Sequence, residues 1–326
     1  MVIGPHAARP TLDEKCGICN RNTVVGEQAG FQIGGTLMSL APSEETLKKA
    51  YRLASPCRIC PRLCEVDRPA GETGYCGVGA LPLVASAGPH YGEEGPLVGR
   101  GGSGTIFLGG CNLGCVFCQN YSISHGREGD PAEPADIARV MLQLQQRGCE
   151  NINFVTPTHV TPWLMEAVRL ARLDALTLPI VYNCGGYERL ETLRLLEGTV
   201  DIYMPDAKYW EPAQAARYSN APDYPEVMRA ALKEMHRQVG DLQIANGVAR
   251  RGLLIRHLVM PAGVAGSRQV LDFIAKEISP RSYVNVMDQY RPCYRAHEFA
   301  TIARRPSAEE YREAREHALR LGLNLL

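Results

Sequence analysis

Three cysteines fall within eight positions of this chain: Cys111, Cys115 and Cys118, in the stretch GGCNLGCVFCQNYSISH from residue 109 to 125. A structural zinc or a fully ligated cluster takes four protein ligands, so three thiolates predict a site with one coordination position left open. They can wrap one face of a [4Fe-4S] cube and leave one iron to an exchangeable ligand. Gly109, Gly110 and Gly114 let the loop bend close to such a group. The competing reading is a zinc site that borrows a fourth ligand, such as His125 or a distant cysteine. A second set, Cys57-x2-Cys60-x3-Cys64-x11-Cys76, is complete in itself for one zinc or one [4Fe-4S] cluster. The pair Cys16-x2-Cys19 supplies half a site at most.

These thiols account for nine of the twelve cysteines; Cys149, Cys184 and Cys293 are scattered. The chain has 326 residues, and its N-terminus has no basic stretch leading into an apolar core, so the thiols predict metal binding rather than disulfides. Thirty-five basic residues balance 35 acidic ones, which argues against nucleic acid or an anionic membrane as a partner. No window approaches 18 uninterrupted apolar residues, and a cytoplasmic location is expected.

Elements that could hold such loops are legible in the rest of the chain. Apolar, β-rich runs recur at 104–110, 151–155, 179–183, 200–204, 253–259 and 282–287. Helical patterns lie between them: Ile137, Val140, Met141 and Leu144 share one face, and Thr161-Pro162 reads as a cap with Pro at the first helical position. Further helices are predicted from Ser267 and from Ser307, the latter with a capping box to Glu310, and a short one from Ser43. Alternation of this kind predicts an α/β fold, a partial (β/α)6 TIM-like barrel over residues 101–326, preceded by a cysteine-rich N-terminal metal-binding region, residues 1–100. Such folds place chemistry just beyond the C-terminal ends of the strands. Those ends read Cys111 to Cys118, Thr156-Pro157-Thr158-His159, Asn183, Asp206 to Lys208, Met260-Pro261 and Asp288 to Tyr290.

Cys111-x3-Cys115-x2-Cys118 after the first strand of a βα array resembles the signature of radical S-adenosylmethionine (radical SAM) enzymes. More narrowly, the stretches CRICPRLCEVDRPAGETGYCGVG, PHYGEEGPLVG, VTPTHV, VDIYMPDAKYW, RHLVMP and NVMDQYRPCY resemble the branch called pyruvate formate-lyase activating enzyme-like. The resemblance implies that the amine and carboxylate of SAM chelate the open iron. One electron then cleaves SAM to methionine and a 5′-deoxyadenosyl radical, which takes a hydrogen atom from a substrate. It implies that Phe117, between the second and third cysteines, lies against adenine. Related activating enzymes follow their second strand with a Gly-Gly-Glu type segment that receives the SAM amino group. This chain has Thr156 and Thr158 there, whose hydroxyls and carbonyls can accept from an ammonium. Asn183 resembles a ribose or carboxylate contact, and Asp206 and Lys208 resemble an Asp-x-Lys segment near SAM and substrate, with a surface ion pair as the alternative. His257, inside a strand, reads as a satisfied core histidine.

Tyr290 and Cys293 follow the last strand and point to the same mouth. The tyrosine is a packing residue or a substrate contact, and the cysteine a hydrogen-atom donor to a substrate radical. An electron donor such as flavodoxin or ferredoxin is implied, with a protein, peptide or small-molecule substrate. SAM-dependent methyl or sulfur transfer on the same fold, and a non-enzymatic iron-sulfur scaffold or redox sensor, are the alternatives.

Overall fold

Six of the apolar runs become adjacent parallel strands. A computed structural model describes residues 41–326, so Cys16 and Cys19 lie outside the described residues. In chain order the elements are α1 (Glu44–Arg52), β1 (Leu83–His90), α2 (Gly95–Val98), β2 (Ser103–Gly109), α3 (Tyr121–Ser124), β3 (Asp130–Pro131), α4 (Pro134–Gln146) and β4 (Ile152–Val155). They continue with α5 (Thr161–Leu173), β5 (Ile180–Cys184), α6 (Leu190–Leu195), β6 (Ile202–Pro205), α7 (Pro212–Ser219) and α8 (Tyr224–Val239). The chain closes with β7 (Gln243–Ala245), β8 (Val248–Leu258), α9 (Ser267–Phe273), β9 (Tyr283–Met287), α10 (Ala308–Arg320) and β10 (Asn324–Leu325).

Strands β2, β4, β5, β6, β8 and β9 pair in parallel in that order. The sheet runs β10-β9-β8-β6-β5-β4-β2-β1-β3, with β7 as a hairpin on β8. Among the described residues no pairing joins its two ends, so the barrel is open. β1 adds antiparallel to β2, so residues 83–90 extend the barrel sheet. Its sequence, LVASAGPH, carries Gly, Ser and Pro in place of a continuous β-branched run, and sequence periodicity missed it.

Alternation along the strands separates two faces. Ile106, Leu108, Ile152, Phe154 and Ile180 pack outward against α4 and α5. Tyr182, Tyr203, Leu253, Ile255, Val284 and Val286 do the same against α8 and α9. Val181, Ile202, Met204 and Leu254 face inward around Leu97. The strap from β1 to β2 delivers that leucine into the barrel. Asn151 donates to the Leu97 carbonyl at 2.8 Å, and Asn285 of β9 donates to Glu94 at 3.0 Å, so the strap spans the gap between the sheet's two ends.

Helix starts follow their sequence signals with one change. Ser43 caps α1 and Ser307 caps α10 in a capping box with Glu310. At α5 the N-cap is Val160, and Thr161 is already helical, its hydroxyl taken up by the Thr158 carbonyl and the Tyr182 hydroxyl. The helix from Ser267 continues past Phe273 as a π turn over Ile274–Ile278.

Candidate active site

The end of β2 turns inward through Gly110, whose φ of 81° and close neighbours leave no room for a side chain. A Cβ there would stand 2.8 Å from the Cys76 carbonyl oxygen. The loop that follows presents three free thiols, each with one hydrogen-bonding neighbour. The Leu113 N–H donates to Cys111 Sγ at 3.3 Å, and the Ser219 hydroxyl donates to Cys115 Sγ at 3.0 Å. Cys118 Sγ lies 3.1 Å from Ser124 Oγ. Burial pushes the Cys111 and Cys115 thiols up, while nearby Lys208 acts the other way on both. Donors aimed at sulfur and a nearby cation suit thiolates that hold a cluster.

His125 is not placed as a fourth ligand. Its Nε2 lies 3.1 Å from the Cys115 carbonyl oxygen, and its ring stacks on Tyr294 at 4.6 Å. Among the described residues no group of three His, Cys, Asp or Glu side chains is gathered closely enough for one metal ion. That holds for both cysteine sets.

Opposite the loop, the strand ends of β5, β6 and β8 form a half-buried charged network. Asp206 accepts from Lys208 Nζ at 2.5 Å and from Arg256 Nε at 2.8 Å, and Arg256 Nη2 donates to Asn183 Oδ1 at 2.9 Å. Burial would push the Asp206 carboxyl up, but Arg256 and Lys208 outweigh it and hold the group below the usual carboxylate range. The Asp206–Lys208 pair is therefore not the surface ion pair weighed as an alternative. Arg256 is the member that sequence reading missed. A lone charge inside the apolar run LLIRHLV, at an inward position in register with Asn285, was the available signal.

The other expected residues divide. Thr156 adopts φ 63°, and its N–H donates to the Asn183 carbonyl at 2.9 Å, so it stays at the strand-end rim. Thr158 does not: it is buried, and its hydroxyl donates to Glu188 at 2.7 Å within the outer layer. The turn after Thr156 carries the next residues over to α5 and away from the mouth. Phe117 is buried against Tyr290 and Tyr209, with ring centroids 5.6 and 6.4 Å away. Tyr290 is 1% exposed and its hydroxyl donates to the Ile302 carbonyl at 2.7 Å, which places it in packing and removes that hydroxyl from the mouth. Cys293 is half-buried on the loop side, because Arg295, two residues on, donates its N–H to the Val116 carbonyl at 2.9 Å. His257 is a satisfied core histidine, bonded to the Ala207 carbonyl and to Ser267. Cys149 and Cys184 are buried in the outer layer.

The four-thiol segment docks directly on this loop. Cys57, Cys60 and Cys76 are buried and Cys64 half-buried. Burial pushes the Cys60 thiol up, and the charges of Cys76, Cys64 and Cys57 add to that shift, so the four sulfurs sit within electrostatic reach of one another. Gly74 is required where it stands, since a Cβ would lie 2.7 Å from Cys64 Sγ. Arg62 ties the two cysteine loops together, donating to the carbonyls of Asn112 at 2.8 Å and Asn220 at 2.5 Å. Cys76 and Cys111 line one cavity of about 450 Å³, with Tyr75, Arg127, Arg217 and Tyr294 among its walls.

A model of the Radical SAM superfamily matches residues 105–244. The chain is 33% identical over 286 residues to the uncharacterized protein MJ0674 of Methanocaldococcus jannaschii, spanning 85% of this chain and 78% of that one. It is 24% identical over 200 residues to the uncharacterized protein MJ0808 of the same organism, spanning 54% of this chain and 53% of that one. Among solved structures, a radical SAM methyltransferase from Sphaerobacter thermophilus aligns at a TM-score of 0.46 and 13% identity, over 68% of this chain and 65% of the other. The chain belongs to the radical SAM superfamily and is a radical SAM enzyme. Membership implies a [4Fe-4S] cluster and SAM, and the three hydrogen-bonded thiols fit that cluster.

Proposed function

We propose that this enzyme abstracts a hydrogen atom from its substrate at the mouth between the Cys111–Cys118 loop and the Asp206 network, as in the activating enzyme-like branch that its motifs resemble. The observation that carries the reading is the facing of the two halves: Lys208 interacts electrostatically with both Cys111 and Cys115 while bound to Asp206. When bound, cluster and SAM supply the 5′-deoxyadenosyl radical. Cys111, Cys115 and Cys118 hold the cluster. Asn183, fixed by Arg256, and Asp206, fixed by Arg256 and Lys208, are preorganised polar groups for the ribose, amine or carboxylate of SAM. Thr156 offers its backbone carbonyl at the same rim. Phe117 contributes to the adenine site through its backbone, its ring being packed. Cys293 stands on the loop side as a candidate hydrogen donor.

Residues 1–100 are proposed as a metal-binding region, of which 83–98 also supply β1 and the strap to the barrel of residues 101–326. Its four-thiol set is read as a second [4Fe-4S] site. A zinc tetrahedron with Zn–S of about 2.3 Å draws four sulfurs to within about 4 Å of each other. Four thiols within electrostatic reach of one another beside the Cys111 loop support a cluster at this set. A flavodoxin- or ferredoxin-like protein would serve as electron donor.

The test is spectroscopic. Reduced, anaerobically reconstituted protein should show a cluster EPR signal that changes on adding SAM. Asp206→Asn together with Asn183→Ala should keep the signal but lose most of the change. An EPR signal in the parent that is indifferent to saturating SAM would contradict the placement of SAM.

A further inference from the structure

Arg68 carries a full charge into the interior and meets no carboxylate among the described residues. The side chain is 1% exposed and lies 5.0 Å from the Trp163 ring. Nε donates to the Gly79 carbonyl at 2.9 Å, and Nη1 to the His159 carbonyl at 3.0 Å. Nη2 is buried with no hydrogen-bond partner. Two carbonyls and an aromatic face satisfy part of the hydrogen-bonding capacity and soften the charge, but none of them carries a formal negative charge. A guanidinium does not shed its proton, and an uncompensated buried ion costs several kcal/mol. One group able to become an anion is in contact with it, Cys76, whose Sγ lies 3.9 Å from Nη1.

We propose that Arg68 is the built-in counter-ion of the centre formed by Cys57, Cys60, Cys64 and Cys76, a positioning residue that neutralises its thiolates. This rests on the four-thiol set holding metal, as read above. Metal binding requires deprotonated thiols, so the loaded centre is the state in which the guanidinium is compensated. The charge of Arg68 and the metal therefore hold each other in place. Arg68 also reaches the other cysteine set: the His159 whose carbonyl it holds is bonded through Nε2 to the Gly109 carbonyl, two residues before Cys111.

The test uses the full chain with Cys111, Cys115 and Cys118 all changed to Ala, so that metal reports the N-terminal set alone. Iron and zinc are counted, and release to a chelator is timed. Arg68→Met should release metal at least tenfold faster than this parent, and Arg68→Lys should restore the rate to within about threefold. If the metal is a cluster, its midpoint potential should fall in Arg68→Met and return in Arg68→Lys. A parent that holds neither metal overturns the four-thiol reading itself. A parent that holds metal, with Arg68→Met matching it in release rate, overturns the role of Arg68 alone. Should Arg68→Met fail to fold, Arg68→Gln removes the charge while keeping a donor, and its release rate decides by the same tenfold criterion.

Discussion

Arg256 does at residue scale what no single motif residue does, because one guanidinium fixes both Asp206 and Asn183. Arg256→Met leaves Asp206 paired with Lys208, so the fold should persist. SAM affinity should drop roughly tenfold, about 1.4 kcal/mol, as Asn183 loses its anchor. Equilibrium dialysis with labelled SAM measures this, and an unchanged Kd would remove Arg256 from the site. Glu188 tests the outer layer instead. Burial raises its carboxyl to about 7, in part offset by hydrogen bonds from Thr158, Cys184 and Tyr182. The folded state therefore keeps a proton that the unfolded chain has lost, so stability present at low pH is lost as pH rises from about 4.5 through about 7. Glu188→Gln should flatten that part of the pH profile. Urea midpoints at several pH values check it, and parallel profiles would contradict it. Residue types in loops were legible because thiols at fixed spacing have few uses. Arg256 was not, since a lone charge in an apolar run looks like noise until the register puts it beside Asp206. Tyr290 shows the converse, for its strand-end position said nothing about a hydroxyl buried against Ile302.

At the scale of elements, the strap between β1 and β2 closes what strand pairing leaves open. Leu97 is fully buried among Val181, Ile202, Met204 and Leu254. Leu97→Ala should destabilise the fold by about 2–5 kcal/mol, read from denaturant midpoints. Loss of less than about 1 kcal/mol would mean that the strap is not part of the core. The six parallel strands could be read from sequence because strands buried on both faces are continuous apolar runs. β1 could not, because Gly88 and Pro89 break the pattern and its pairing with β2 is a tertiary fact. Thr158 was misplaced for a related reason. Spacing after a strand gives distance from the sheet edge, whereas the left-handed backbone at Thr156 decides which way the chain then turns.

On the scale of the whole molecule, the two cysteine sets form one assembly held by Arg62 and Arg68 and sharing a cavity. Reconstituted protein should accordingly carry more iron than the four atoms of one cube. Cys57→Ala combined with Cys60→Ala should bring it back toward four. One zinc with four irons in the parent would identify the N-terminal centre as zinc. SAM cleavage requires the Cys111 loop to hold the cluster. Its most direct test is 5′-deoxyadenosine formation by anaerobic protein given SAM and dithionite, comparing the parent with Cys115→Ala. The parent should form 5′-deoxyadenosine and methionine in equal amounts while the variant forms neither above background; equal rates in the two proteins would contradict the assignment.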